Sequence, residues 1–439
     1  MAQWIQGVLL PLLLVGAGIF YAGRLKLFYL RHPIRLLRAL AGHGKADGAS
    51  PGRALCLALA GTLGVGNIVG VSSAIALGGA GAVLWMWVSA ICAMVLKYAE
   101  IVLAMRHRRY DREGKAHGAA MYYIRDFFAG RGLPRFGAWL AGGFAILCLL
   151  NTFSMGSLLQ VNAVASALEG VFFIPPVTVG ILLGGMVLLF SLRGRGGLLR
   201  PIEYLVPWMT VGYVVLSLAV LIVKREDLPR AFSLIFEDTF SGRAAAGGAW
   251  GVISVSALRY GCMRGLISNE AGCGTAPAAH AIAEGSRPAE QGVLGMVEVF
   301  VDTILLCTLT ALVVLVGNGV AQAPAGDFMM MTVAAYASVL GRFAGGFMAI
   351  AVLCFGVATI LCWAHYGMEC IFYFWKGKGA RILFSVCYAL SVFLGTLLSS
   401  DFAWQLADFA IAAMTLLNLL VLCPMSGSVV RETEQVFGK

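Results

Sequence analysis

The chain has 439 residues, 60% of them hydrophobic and only 12% charged, against about 25% charged in a soluble globular protein. That excludes an ordinary soluble enzyme, a disordered chain and a disulfide-stapled secreted domain, and points to a polytopic helical membrane protein. The net charge of +10, from 32 Lys+Arg and 22 Asp+Glu, reads as the positive-inside bias of such a protein. No Lys/Arg run is interleaved with aromatics as a nucleic-acid surface requires.

The first apolar run, Trp4 to Gly23, has no basic residue before it and a basic cluster after it. This is the reverse of a secretory signal, so a retained span is expected. Residues Leu25–Leu40 alternate Leu/Phe/Ile with Arg and are interrupted at Pro33, as in a helix lying along the inner interface. Further apolar stretches follow at 53–79, 82–105, 137–168, 176–193, 204–223, 247–269, 293–317, 343–374, 382–398 and 403–424. With the first run they make eleven expected transmembrane helices, since a bilayer core takes about 20 helical residues. No alternating strand pattern competes.

Basic residues set the orientation. Arg24, Lys26, Arg31, Arg35, Arg38, Lys45 and Arg53 follow the first span, and Arg106, Arg108, Arg109, Arg112, Lys115, Arg125, Arg131 and Arg135 follow the third. The segments 79–82, 169–176, 318–342 and 399–402 hold only Arg342. The bias predicts a multi-pass plasma-membrane protein with its N-terminus outside and its C-terminus cytoplasmic. One span then stands apart, and ten divide into five plus five, inverted because five is odd. The expected organisation is an N-terminal span and basic interfacial segment (1–52), a first five-helix repeat (53–223), an external loop (224–246), an inverted second repeat (247–424) and a cytoplasmic tail (425–439).

The first span of each half is rich in glycine. One holds Gly61, Gly64, Gly66 and Gly70 with Asn67, and the other Gly261, Gly265, Gly272 and Gly274 with Arg259, Arg264, Asn269 and Glu270. Matching interruptions in two inverted halves point to helices that break at mid-membrane around a transported solute, although small residues also serve close helix packing. Ser268, Asn269 and Glu270 are candidates to cap the second break. Asp302 stands about ten residues into its span. An acid at that depth costs about 2.5–3.5 kcal/mol to insert, and it marks a functional site unless it is a helix–helix contact with Thr303 or a neighbour. Gln160 follows Gly156 by one turn, and Thr359 and Trp363 share a helix face. The 11 cysteines, among them Cys92, Cys148, Cys307 and Cys354, form no CxxC pair, and the six histidines form no ligand pattern. No cofactor and no transition metal is expected.

These motifs resemble the alanine or glycine:cation symporter family, the sodium:alanine symporters, over nearly the whole chain. The family's G-T-V-G-T-G-N-I-A-G is here Gly61-Thr-Leu-Gly-Val-Gly-Asn-Ile-Val-Gly70, and P-G-A-x-F-W-M-W is Ala80-Gly-Ala-Val-Leu-Trp-Met-Trp87. R-Y-G-x-x-R-G-L-F-S-N-E-A-G-x-G-S-A-P-x-A-H-A is nearly intact at 259–281. G-N-M-V-Q-x-N, F-I-D-T and S-T-I-L-G-W correspond to Gly156–Asn162, Phe300–Thr303 and Ala358–Trp363.

The resemblance implies a leucine-transporter-like fold and uptake of alanine or glycine with sodium by alternating access. It implies substrate contacts at Gly64, Val65, Gly66, Gln160, Gly265, Ile267, Thr359 and Trp363, and a cation at Asn67, Asp302, Thr303 and Thr359. Trp363 would limit the substrate side chain to hydrogen or methyl. Two departures bear on the cation: the family's Thr is Val65, and the Ser before its Thr is Ala358. Without that hydroxyl the expectation is coupling through one cation near Asn67 and Asp302, with weak sodium affinity or tolerance of protons. A proton-coupled carrier, a channel and an intramembrane enzyme are the competing readings, the last lacking any nucleophile–base set.

Overall fold

The computed structural model describes residues 8–31, 50–240, 255–322 and 326–438. Residues 32–40 of the expected interfacial helix, the beginning of the 247–269 span and the end of the 224–246 loop lie outside these residues; the first part of that helix contains one helical turn, Phe28–Arg31. The described chain is helical apart from one short antiparallel pair, Arg109–Tyr110 with Ala116–His117. Its helices are α1 (Leu10–Arg24), α2 (Pro51–Thr62), α3 (Val69–Gly78), α4 (Ala82–Arg106), α5 (Ala120–Ala129), α6 (Pro134–Phe153), α7 (Leu159–Phe172), α8 (Pro176–Leu192), α9 (Arg195–Val223) and α10 (Leu228–Phe240). They continue with α11 (Val255–Asn269), α12 (Ala276–His280), α13 (Pro288–Val299), α14 (Thr308–Val316), α15 (Phe328–Leu340), α16 (Arg342–Phe374), α17 (Lys378–Leu394), α18 (Ser400–Leu422) and α19 (Ser426–Phe437).

Among the described residues, six continuous helical stretches are long and apolar enough to cross a membrane: 82–106, 134–172, 195–223, 288–316, 342–374 and 400–437. A seventh is the bent pair α2/α3, whose halves meet at 57°. Helices α8 and α17 fall short of the expected 20 residues, with 17 each, about 26 Å of rise. The 53–79 stretch breaks into two helices, as its glycine cluster predicts. Proline at the first turn fixes the starts of α2, α6, α8 and α13, where its missing N–H costs no bond. Segments expected as loops or tail also carry helices: α5, α10, α15 and α19.

Burial follows the logic of a lipid solvent. Ile181, Leu182, Leu189, Trp208, Val211, Val215, Ile222, Leu383 and Leu390 are exposed on α8, α9 and α17, while Lys97, Glu100, Glu270, Glu298 and Asp302 are fully buried. Charges inside and large apolar side chains outside is the arrangement lipid imposes. Helices cross closely where side chains are absent. A Cβ on Gly261 would lie 2.7 Å from Trp85 Cβ on α4, and one on Gly292 would lie 2.7 Å from Tyr98 Cδ2. These crossings pack α11 and α13 on α4 and bring the two broken regions to the centre.

Candidate functional site

The first break begins where α2 ends at Thr62. Gly64 is extended (φ −120°, ψ −156°), and one tight turn, Val65–Asn67, leads to α3. The backbone groups freed by this break find side chains from other helices. The Thr359 hydroxyl of α16 donates to Ala60 O at 2.8 Å and to Leu63 O at 3.5 Å. The Val65 amide donates to Gln160 Oε1 at 3.0 Å. Gln160 follows a wide π-helical turn, Ser154–Leu158, between α6 and α7. Its amide donates back to Met155 O at 3.1 Å, which fixes its direction. Gly64 sits where these side chains converge: a Cβ there would lie 2.7 Å from Thr359 Oγ1 and 2.9 Å from Gln160 Oε1.

Trp363 lies one turn beyond Thr359 and is fully buried. Its ring is edge-on to Tyr366, with centroids 5.2 Å apart. It packs on Gly156, where a Cβ would fall 2.6 Å from Trp363 Cγ. Tyr388 donates to both Gly156 O and Ile360 O at 2.9 Å, so the wall formed by α16 and the π turn is held from behind. The indole N–H of Trp363 has no partner among the described residues. Trp363→Ala is expected to let larger neutral amino acids compete with the natural solute in a competition uptake assay. Loss of all uptake without such widening, in a folded variant, would reduce Trp363 to packing.

The second break follows Asn269. Gly272 and Gly274 have φ of +86° and +82°, a region in which glycine alone is unstrained, and Glu270 is left-handed at +53°. The turn is clamped by Asn418 Nδ2 donating to Gly272 O at 2.9 Å and by Gly274 N donating to Glu100 Oε1 at 2.9 Å. The two breaks touch: a Cβ on Gly66 would lie 3.4 Å from Ser268 Cα.

Beside this contact is Asp302, on a second π-helical turn, Phe300–Cys307, between α13 and α14. Its carboxylate accepts from Asn67 Nδ2, Ser268 Oγ and Thr303 Oγ1, each at 2.7 Å. Asn269 Nδ2 donates to Thr303 Oγ1 at 3.1 Å. Asn67 Oδ1 is buried beside the carboxylate without a partner among the described residues. A buried amide oxygen left free is costly, and with the carboxylate it supplies the oxygen donors a hard cation takes.

Gly64, Val65, Gln160 and Thr359 therefore form one group, and Asn67, Asp302 and Thr303 an adjoining one, with Gly66 between them. Ile267 contributes its carbonyl near Gly66, at 3.8 Å from a Cβ there. Gly265 is not brought to this group. It faces α4, where a Cβ would lie 2.8 Å from Ser89 Oγ. Ser268 and Asn269, expected as caps, direct their side chains to Asp302 and Thr303, and Asn269 Oδ1 also accepts from Ala271 N at 3.0 Å. Sequence reasoning missed Lys97, Glu100, Glu298, His280 and Asn418. Lys97, Glu100 and Glu298 are charged residues inside otherwise apolar stretches, the same signal that singled out Asp302.

Cavities approach from opposite ends of the bundle. One of about 360 Å³ reaches Val65 and Val69 from Ser166, Asp327 and Trp404. Beneath it Arg264 stacks 3.9 Å over Trp404 and pairs with Asp408 at 3.1 Å. The other, of about 680 Å³, is lined by Arg53, Asp111, His117, Arg195 and Glu369. There His117 is 2.8 Å from Glu369 and 3.3 Å from Asp111, and Arg195 is 2.7 Å from Glu369.

Residues 1–438 match the model of the sodium:alanine symporter family. An uncharacterized transporter of Haemophilus influenzae is 36% identical over 440 residues, covering 99% of this chain and 94% of its own. The sodium/alanine symporter AgcS of Methanococcus maripaludis is 34% identical, covering 98% and 95%. Among solved structures, MhsT in complex with L-phenylalanine aligns with a TM-score of 0.52 at 16% identity, covering 90% of this chain and 100% of MhsT; at that identity it shows the leucine-transporter-like fold alone. The chain is a multi-pass membrane transporter and belongs to the sodium:alanine symporter family.

Proposed function

We propose that the protein is a secondary active symporter that takes up a small neutral amino acid, alanine or glycine, with sodium by alternating access. The observation that carries this reading is the meeting of the two helix breaks, Gly66 against Ser268, with the Gln160–Thr359 group on one side and Asn67–Asp302 on the other. In this reading ten helices form two inverted sets of five, preceded by α1, with residue 1 outside and residue 439 cytoplasmic. Gln160 holds the Val65 amide until the substrate carboxylate takes it, and then turns its own amide to the substrate. Trp363 limits the side chain to hydrogen or methyl. Asn67 Oδ1 and the Asp302 carboxylate, with Thr303, hold one sodium ion. Thr359 with the carbonyls of Ala60 and Leu63 forms a poorer position, because Ala358 offers no oxygen. Binding of both solutes draws the broken segments together, and the arginine and histidine clusters at the two mouths open in turn.

The test is uptake of labelled alanine and glycine into proteoliposomes with imposed sodium or proton gradients. Accumulation that follows the sodium gradient is the expected result. Accumulation driven by protons alone would make the protein a proton-coupled carrier, and flux that never exceeds equilibrium would make it a channel.

A further inference from the structure

The polar interior between α4, the second break and α13 holds four acids, Glu100, Glu270, Glu298 and Asp302, and one lysine, Lys97, all fully buried. Lys97 Nζ donates to Glu298 Oε1 at 2.8 Å and to the carbonyl of Asn269 at 2.5 Å. Asn269 is the last residue of α11, so this carbonyl is part of the negative end of that helix's dipole. The other oxygen of Glu298 lies 3.0 Å from His280 Nε2, and His280 Nδ1 lies 2.7 Å from Gln291 Nε2. Among the lysines and arginines of the described residues, Lys97 is the one whose charged group bonds to this break.

The first break differs. The carbonyls of Ala60 and Leu63 face the Thr359 hydroxyl, which brings no charge. Asn269 links the lysine to the cation group: its carbonyl accepts from Lys97, while its side chain donates to Thr303, whose hydroxyl donates to Asp302.

We propose that Lys97 is a tethered cation: its ammonium permanently fills the position at the second helix break that a mobile ion would otherwise fill, and so sets the affinity of the Asn67–Asp302 group for sodium. Lys97 is thus a positioning residue, acting through Asn269 and through its charge, and the proposal rests on the reading that Asn67 and Asp302 hold sodium. A fixed positive charge in a low-dielectric interior opposes the arriving ion, and Glu298 offsets part of that opposition.

The experiment measures sodium-dependent thermal stabilisation of the purified full-length protein in lipid nanodiscs, with uptake followed in parallel. Lys97→Met removes the charge and keeps the length. It is expected to bind sodium about tenfold more tightly. Glu298→Gln removes the carboxylate paired with Lys97 and is expected to bind sodium about tenfold more weakly. The double variant should return to the unmodified affinity. Loss of packing would weaken sodium binding in both single variants, so opposite signs identify charge as the cause. Unchanged or weakened affinity in both single variants overturns the proposal. If Lys97→Met does not fold, weakening in Glu298→Gln with recovery in the double variant supports it, and no recovery overturns it. Sodium stabilisation that appears only in Lys97→Met would support the tethered cation while removing sodium from Asn67 and Asp302 in the unmodified protein. No stabilisation in any form would overturn both.

Discussion

Asp302→Asn should reduce solute uptake by about a hundredfold or more and raise the sodium concentration needed for what remains. Three donors, Asn67 Nδ2, Ser268 Oγ and Thr303 Oγ1, converge on the carboxylate. An asparagine amide has one acceptor oxygen and a donor NH₂ in place of two acceptors, so the Ser268 and Thr303 hydroxyls must turn to accept where they now donate. Three charge-assisted hydrogen bonds, at about 1.5–3 kcal/mol each, become ordinary ones at about 0.5–1.5 kcal/mol. Removing the charge also takes away the strongest attraction for a cation beside Asn67 Oδ1. The measurement is the sodium dependence of uptake in proteoliposomes, together with sodium-induced thermal stabilisation of the variant. A folded variant with a normal rate and normal sodium dependence would leave Asp302 as a helix–helix contact.

Gly64→Ala is expected to have a comparable effect by a different route. Its Cβ would sit 2.7 Å from Thr359 Oγ1 and 2.9 Å from Gln160 Oε1, both closer than atoms in contact allow. The backbone at Gly64 is extended, so an alanine suffers no conformational strain, and the whole cost is steric. Either Thr359 leaves the carbonyls of Ala60 and Leu63, or Gln160 leaves the Val65 amide. Loss of one or two buried hydrogen bonds at about 1–1.5 kcal/mol each corresponds to a fall of roughly 5- to 150-fold in uptake efficiency, and the methyl also occupies solute space. Gly70→Ala is the control, since its Cβ would meet only Trp404, at 4.0 Å. Equal uptake by the two variants would remove Gly64 from the site.

Much of this site was legible before any coordinates. The glycine clusters marked both breaks because each accompanies an amide, Asn67 or Asn269, that needs a partner inside a span, whereas glycines alone could serve packing. Asp302 stood out because lipid penalises an unpaired acid. The spacing of Thr359 and Trp363 placed them on one face. What could not be read was phase and partner. Gly265 meets Ser89 of α4 because of how α11 is rotated against its neighbours, which the spacing within α11 does not reveal. That the Val65 amide is taken by Gln160 depends on a contact across 95 residues. Helices α10 and α19 lie in segments too polar to register as spans, since a helix resting on a membrane surface or a bundle needs only one apolar face. Lys97, Glu100 and Glu298 escaped because each sits in a stretch whose apolar majority carried the assignment of a span, yet they hold the second break in place.

The π-helical turn Ser154–Leu158 has a consequence for how this lineage can vary. Such a turn is equivalent to one residue inserted into a regular helix. Removing any one of these five residues would let α6 and α7 join as an ordinary α-helix, with its hydrogen bonds and apolar surface largely kept. A wide turn takes up its extra residue locally: five residues wound at about 4.4 per turn advance the chain by nearly the same angle as four at 3.6 per turn. The faces of α6 and α7 would therefore stay in phase, and what would be lost is the joint itself, where Gln160 Nε2 reaches back to Met155 O and Gly156 lies beneath Trp363. A single-codon deletion here would thus leave a foldable, inserted protein whose fault is confined to the solute site. Gly156 is bound to its identity as well as its place, since a Cβ there would run into Trp363.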